Sequence, residues 1–267
     1  MNHPKINIFI PLYNCEKTIK STINSLLCQS YDNFNLIISD NHSTDNSIKI
    51  INQFNDNRLK IIKTPYHYDM SEPNFNRCLD LSDELFTALL HADDIYHEDF
   101  LKNQVNNLLS DETIAISFTE GENIDIQGKF IRKLKSPKEM KLKNLSFWDL
   151  YPLILENYNF IITPSLVLRT EIFKKNNFKW NYTQFKTSSD LALWLEVSLK
   201  YKISIIKKNL ISVKLSSMQG SSEVRNKIQQ SDFFKVLDKY NHHFSIDNDK
   251  SKFIYHNMKL LKSRDNL

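Results

Sequence analysis

Glycine is almost absent from this chain of 267 residues: only Gly121, Gly128 and Gly220 occur. Neither G-x-G-x-x-G nor G-x-x-x-x-G-K-[ST] can be written with three glycines so placed, which excludes the dinucleotide fingerprint and the P-loop. Any nucleotide phosphate bound here has to be held by another device. Cysteine is equally sparse. Cys15, Cys28 and Cys78 are odd in number, widely spaced and free of any C-x-x-C or Cys/His cluster. That excludes a disulfide framework and a zinc site, and the three read as reduced core thiols. No apolar run approaches the roughly 18 to 20 residues that cross a bilayer. The opening MNHPKINIFIPLYN lacks the apolar stretch and small-residue cleavage site of a signal peptide. A soluble, cytoplasmic protein is the default expectation.

What is present suits a folded enzyme-sized domain. Hydrophobic residues make up 41% of the chain and aromatic residues 12%, enough for a core and too much for disorder. The net charge of +4 is mild but unevenly placed. Residues 129–143 hold Lys129, Arg132, Lys133, Lys135, Lys138, Lys141 and Lys143 against the one acid Glu139, and 223–267 are also net basic. Such patches suit phosphates or an anionic membrane surface, so peripheral contact with the inner face of the cell membrane is expected through these two segments. For the tail, a solvated helix face reads equally well. A nucleic-acid partner is not expected.

Short apolar runs alternate with helical periods, the pattern of an α/β fold with a largely parallel sheet. INIFIPLYN (6–14) reads as a buried strand. Ile19, Ile23 and Leu26 then share one helix face. FNLIISD is a second strand, and STDNSIKIINQF supplies capping residues and a helix. Residues 60–63 make a short strand, EPNFNRCLDL a helix with Pro73 near its start, and ELFTALLHADD a strand that runs into LLHADDIYHEDF (89–100). Leu101, Val105 and Leu108 mark a helix, TIAISFTE a strand, and the basic stretch to Lys143 a mobile loop over one edge. Helix is expected at 145–157 and 188–200, and strand at 165–169 and 203–213. In the tail, Phe233, Leu237 and Tyr240, then Ile254, Met258 and Leu261, predict two amphipathic helices. The expected division is a domain over 1–215 and a helical extension over 216–267.

Three acidic places stand at strand ends, where open α/β sheets hold ligands. In SDNHSTDNS, Ser43, Thr44 and Asp45 are ordinary helix caps. Asp40 precedes the cap, and an isolated carboxylate there suits a ring N–H such as that of uracil. In HADD, the adjacent Asp93 and Asp94 repel one another unless a cation stands by them. Two readings fit equally: a helix start decorated with acids, or a hard divalent cation held by carboxylates and substrate phosphates. In KTSSDLALWLE, Asp190 opens a helix whose apolar side is Leu191, Trp194, Leu195 and Leu199, and an N-terminal acid on a helix accounts for it.

In this order and spacing the pieces resemble the family 2 glycosyltransferases of the GT-A fold, from about residue 5 to about 215. IFIPLYNCEKTIKSTINSLLCQSYDNFNLIISDNHSTDNS is similar to the family's opening, and NFNRCLDLSDELFTALLHADD to the stretch that ends in its Asp-x-Asp motif. ITPSLVLRTEIF and SSDLALWLE resemble the segments that follow. The resemblance implies a Rossmann-like, mostly parallel sheet flanked by helices, and inverting transfer of a sugar from a nucleotide-sugar donor, UDP-linked by expectation. The acceptor it implies is a hydroxyl of a saccharide or lipid-linked glycan, in capsule, O-antigen or lipooligosaccharide synthesis. It assigns Pro11, Tyr13, Asn14 and Asp40 to the base and ribose, and Asn76, Asp94 and Lys214 to the donor. Asp93, with His91, would hold Mn²⁺ or Mg²⁺, and Asp190 would be the general base. His91 stands where the family has the first Asp of Asp-x-Asp, and either ligates as neutral imidazole or orients the loop. Ser189 stands where the family often has Glu. Two other readings are a scaffold that binds nucleotide or sugar without turnover, and a sugar-nucleotide nucleotidyltransferase, which normally opens with the glycine-rich loop missing here.

Overall fold

The computed structural model describes residues 3–215, 232–243 and 256. In chain order the strands and helices are β1 (Ile6–Leu12), α1 (Ile19–Leu27), β2 (Phe34–Asp40), α2 (Ser47–Ile51), β3 (Leu59–Lys63), α3 (Glu72–Leu81), β4 (Phe86–Leu89) and β5 (Ile95–Tyr96). There follow α4 (Phe100–Leu109), β6 (Ile114–Ile124), β7 (Phe130–Leu134), β8 (Asn144–Leu145), α5 (Phe147–Asn157), β9 (Val167–Arg169), α6 (Thr170–Asn176), α7 (Ser189–Ser198), β10 (Lys202–Lys214) and α8 (Phe233–Tyr240).

One sheet runs in the order β3-β2-β1-β4-β9-β6-β10-β5, with β7 on β6 and β8 on β10. β1, β2, β3 and β4 are mutually parallel, β9 lies antiparallel between β4 and β6, and β10 is parallel to β6. β1, β2, β3, β4, β6 and β10 therefore point one way, and their carboxyl ends share an edge. The strand order reverses at β1, which has β2 on one side and β4 on the other. That is where an open α/β sheet leaves a crevice for ligand.

The apolar run of β1 is unbroken because both faces are covered. Ile6, Ile8, Ile10 and Leu12 enter one core with Ile19, Ile23 and Leu26 of α1 and Phe100, Leu101, Val105 and Leu108 of α4. Phe9, on the opposite face, joins the other core with residues of α3, α5, α6 and α7. Fully burying each such side chain contributes about 1.5–3 kcal/mol. α8 belongs to this second core through Phe233, Val236, Leu237 and Tyr240, and the Leu237 carbonyl accepts the Tyr151 hydroxyl at 3.0 Å. This part of the expected extension thus packs on the sheet-bearing body. The helix predicted around Ile254, Met258 and Leu261 lies outside the described residues.

Two local expectations change. Residues 130–134, expected in a mobile loop, form β7 on β6. The turn before it is built by Asp125, whose Oδ1 accepts the N–H groups of Gln127 and Lys129, and by Gly128 at φ 88°. Charge hid a strand whose register is set by that turn. The caps assigned to Ser43, Thr44 and Asp45 also do other work. Asp45 Oδ1 does accept the N–H of Ser47, the first residue of α2, at 2.9 Å; Ser43 Oγ accepts the Asn14 N–H and Asp45 Oδ2 the Glu16 N–H, so both also stitch β2's loop to the end of β1.

At Gly121 a Cβ would meet the Ile211 carbonyl of β10 at 2.6 Å, so hydrogen alone fits where β6 and β10 approach. Gly121→Ala is expected to destabilise the fold by about 1–3 kcal/mol through overpacking, measured as a lowered urea midpoint at unchanged m-value.

Candidate functional site

The parallel strand ends deliver the site. β1 stops at Leu12 because Asn14 turns the chain at φ 50°. Its side chain then accepts the Thr44 N–H at 2.8 Å and donates to Thr44 Oγ1 at 3.3 Å. Asp40, nearly buried at the end of β2, accepts the Ser43 N–H at 3.0 Å. Asn41 next to it exchanges two hydrogen bonds with the backbone of Tyr68. This holds the loop after β3 over the same edge, where the ring of His67 packs on exposed Tyr13 at 4.7 Å. Pro11, Tyr13, Asn14 and Asp40 therefore stand at the paired ends of β1 and β2, beside the switch.

Beyond β4 the chain turns through 91–94. The Ala92 carbonyl accepts the hydroxyls of Thr18 and Thr22, both at 3.1 Å, which clamps the turn to α1. The His91 N–H donates to the Tyr96 hydroxyl at 3.0 Å, and that hydroxyl donates to the Pro164 carbonyl at 3.3 Å. Ligand atoms of His91, Asp93 and Asp94 all lie within 4.8 Å of one another. His91 and Asp93 are half-buried and Asp94 is fully buried. Asp94 Oδ1 accepts the backbone N–H of Lys214 at 3.0 Å. Its Oδ2 has no hydrogen-bond partner among the described residues, and His91 Nδ1 stands 3.9 Å from it.

Burial, followed by the charge of Asp93, pushes the Asp94 carboxyl well above the usual carboxylate range. Burial lowers the His91 pKa against the opposing pull of Asp93 and Asp190, which favours neutral imidazole with a lone pair to offer. Burial also pushes the Cys15 thiol up to about 11, Asp93 adding to it, so Cys15 stays protonated beside the acids. Lys214 brings a cation to Asp93 and Asp94, its ammonium donating to Ser21 Oγ at 2.8 Å and its pKa lowered by burial.

A divalent cation fits this set on the structure's own terms. An orphaned, fully buried carboxylate oxygen carries a cost of several kcal/mol when ionised unless a charge meets it. A second carboxylate and an imidazole are within reach of the same point. The acid pair is thus more than a decorated helix start.

Asp190 sits at the start of α7, where Thr163 donates to its Oδ2 at 2.7 Å. Its charge is felt at His91, so it stands close to the 91–94 turn. Asn76 is engaged differently from the other assigned residues. Both ends of its amide are taken by the Trp180 backbone, while neighbouring Phe75 packs between Trp180 and His91 at 5.6 and 5.7 Å.

Several side chains that shape this region were not foreseen. Tyr96 joins the 91–94 turn to the 163–165 turn, and Thr163 orients Asp190. The sequence signal for Thr163 was its place in ITPS, four residues before β9. Glu72 at the start of α3 accepts the Ser189 hydroxyl at 3.2 Å. A carboxylate thus stands beside position 189 although serine occupies it. Nothing in the local sequence could have paired residues 117 positions apart.

Fold and site together define a Rossmann-like α/β protein with an acidic cluster beyond the end of β4, beside the strand-order switch. The model of glycosyl transferase family 2 matches residues 7–177, and the chain belongs to that family; its fold is GT-A. Among curated relatives, it is 28% identical over 221 residues to the Escherichia coli UDP-Glc:alpha-D-GlcNAc-diphosphoundecaprenol beta-1,3-glucosyltransferase WfgD, covering 81% of this chain and 78% of that protein. The chain spans only 34% of the length of two uncharacterised rickettsial glycosyltransferases that it also matches. Staphylococcus aureus TarS in complex with UDP-GlcNAc superposes with a TM-score of 0.68 at 18% identity, covering 94% of this chain and 70% of that one. The Pyrobaculum calidifontis mannosyltransferase PcManGT, in complex with GDP-Man and Mn²⁺, gives 0.64 at 13% identity, covering 96% and 69%. These two similarities establish the fold.

The Asp94 shift has a sign that can be measured. Its native pKa lies above the unfolded value of about 3.9, so between that pH and the native pKa the folded state holds more protons. The contribution of Asp94 to metal-free stability is complete below about pH 4 and is lost as pH rises through the native pKa. Wild type is expected to lose thermal stability relative to Asp94→Asn between pH 4 and 8. Added Mn²⁺ should raise the wild-type transition more at pH 8 than at pH 4, because cation and proton compete for one oxygen.

Proposed function

We propose that this chain is an inverting glycosyltransferase that moves a sugar from a UDP-linked donor to a hydroxyl of a saccharide or lipid-linked glycan, in bacterial surface-polysaccharide synthesis. The observation that carries the reading is the His91, Asp93 and Asp94 cluster with its orphaned buried oxygen, with Asp190 close enough for its charge to act on His91. The printed activity of WfgD, a UDP-Glc donor and a diphosphoundecaprenol-linked acceptor, supports the donor and acceptor classes. The UDP-GlcNAc bound by TarS supports the uridine nucleotide.

In this mechanism Asp40 accepts a ring N–H of the base, and Pro11, Tyr13 and Asn14 bound the base and ribose. Asp93, Asp94 and His91 would hold Mn²⁺ or Mg²⁺, which supplies Lewis-acid neutralisation of the charge that develops on the departing nucleoside diphosphate. The mixed carboxylate and imidazole set favours Mn²⁺ over Mg²⁺, whose preference is for oxygen alone. Lys214 adds a fixed positive charge from the protein at the same place. The Asp190 carboxylate, oriented by Thr163, takes the proton from the acceptor hydroxyl as that oxygen attacks the anomeric carbon opposite the leaving group. A single displacement inverts the centre, so an α-linked donor yields a β-glycoside. Asn76 contributes by fixing Trp180 and the segment around it. Residues 216–267 are read as a helical extension of the 1–215 domain. Among the described residues no helix is long and apolar enough to cross a membrane. Access to a lipid-linked acceptor then calls for peripheral contact at the inner face of the cell membrane, through 129–143 and 223–267.

Release of UDP from UDP-Glc or UDP-GlcNAc in the presence of Mn²⁺ and acceptor tests the reading; release of pyrophosphate, or no turnover with any donor, would overturn it. Asp190→Asn is expected to lower turnover by about 10²–10⁴-fold while UDP affinity survives. Near-normal turnover in that variant rejects Asp190 as base. By calorimetry, Mn²⁺ should strengthen UDP binding to wild type but not to Asp93→Ala. Equal wild-type affinity with and without the ion removes the metal role.

A further inference from the structure

The hairpin made by the end of β6, the turn at 125–129 and β7 is exposed on every residue from 126 to 133. Ile126, Phe130 and Ile131 are 49%, 52% and 47% exposed, although large apolar side chains normally seek the core. Lys129, Arg132, Lys133 and Lys135 alternate with them, and the one acid of the stretch, Asp125, is spent on the turn's own N–H groups. Phe130 is paired with Ile124 and Arg132 with Asn123, so Ile131 is the extra residue of a bulge that breaks the regular alternation of faces, and Ile126 sits in the turn. Exposed apolar side chains thus gather at the end of a basic ribbon. They match a slab of mixed apolar and anionic character that the ribbon can enter end-on.

The hairpin is also rooted in the site. Ile124 at its base is paired with Lys214 of β10, its carbonyl accepts the Leu215 N–H at 2.9 Å, and the Lys214 N–H holds Asp94. The turn follows at once, so the ribbon leaves from the same sheet edge that carries the acidic cluster. Exposed Leu142 and Trp148 flank β8, which pairs with the other end of β10, and they do not belong to this patch.

We propose that residues 126–135 are a membrane-docking element. Ile126, Phe130 and Ile131 enter the interfacial layer of a bilayer, and Lys129, Arg132, Lys133 and Lys135 meet the headgroups of anionic phospholipid, which turns the acidic edge towards the lipid. The purpose of this arrangement rests on the proposed lipid-linked acceptor; its existence does not. Each basic residue near an anionic surface raises affinity about fivefold, and the apolar tips add a component that salt does not screen.

The test is co-sedimentation of the full chain with phosphatidylcholine vesicles, with and without phosphatidylglycerol, beside UDP release with a short water-soluble acceptor. Wild type is expected to bind the anionic vesicles at least tenfold better than the neutral ones. The double variant Phe130→Ser, Ile131→Ser should lose most binding to anionic vesicles at any salt concentration. Lys129→Glu with Lys133→Glu should abolish the anionic preference. Because these side chains are exposed, both variants should keep the wild-type thermal transition and the soluble-acceptor rate. No vesicle binding by wild type, or binding that both variants retain in full, overturns the proposal, the second outcome assigning the contact to another segment. Vesicle binding without UDP release would overturn the glycosyltransferase reading and leave the docking element standing.

Discussion

The carboxylate of Asp94 is divided between two tasks, and the site depends on that division. One oxygen accepts the Lys214 N–H and so ties the turn after β4 to the far end of β10, 120 residues away in sequence. The other oxygen is buried without a hydrogen bond. A folded protein tolerates such an atom by keeping it protonated or by placing a cation there. The surroundings suit both: burial and the charge of Asp93 raise the Asp94 pKa, and ligand atoms of Asp93 and His91 lie within 4.8 Å of its own.

Around that carboxylate the supporting bonds are mostly side chain to backbone. Thr18 and Thr22 hold the Ala92 carbonyl, and Tyr96 spans from the His91 N–H to the Pro164 carbonyl. Thr163, in the same turn as Pro164, reaches Asp190. A chain with three glycines cannot lay bare backbone against a diphosphate, as glycine loops do. Here positions are instead set by polar side chains reaching neighbouring main chain. Position 189 follows the same logic, with Glu72 supplying from α3 the carboxylate that the local residue lacks.

Because β6 and β10 run side by side into the acidic edge, that edge is coupled to the exposed basic hairpin by ladder hydrogen bonds rather than by a flexible linker. Gly121 lets the two strands close to contact, and the register carries Ile124 to Lys214. Anything that orients the hairpin orients the acidic edge with it.

Much of the fold was legible in the chain itself. The buried strands, the helix faces with Ile19, Ile23 and Leu26 or Leu101, Val105 and Leu108, and the placement of Asp40 and Asp93 at strand ends follow from local periodicity, which depends only on neighbours in sequence. The linked motifs from PLYN to SSDLALW led to the family. Tertiary structure alone decided the rest. It turned the basic stretch into a strand, because an Asp125 turn and β6's unpaired edge outweigh its charge. It turned Ser43 from capping to cross-linking and gave Asp45 both tasks, because the end of β1 lies beside them. It gave Asn76 to Trp180, and it buried Asp94 while leaving one oxygen bare. Each of these outcomes is a contact between residues far apart in sequence, and burial and charge compensation exist only once those residues are brought together.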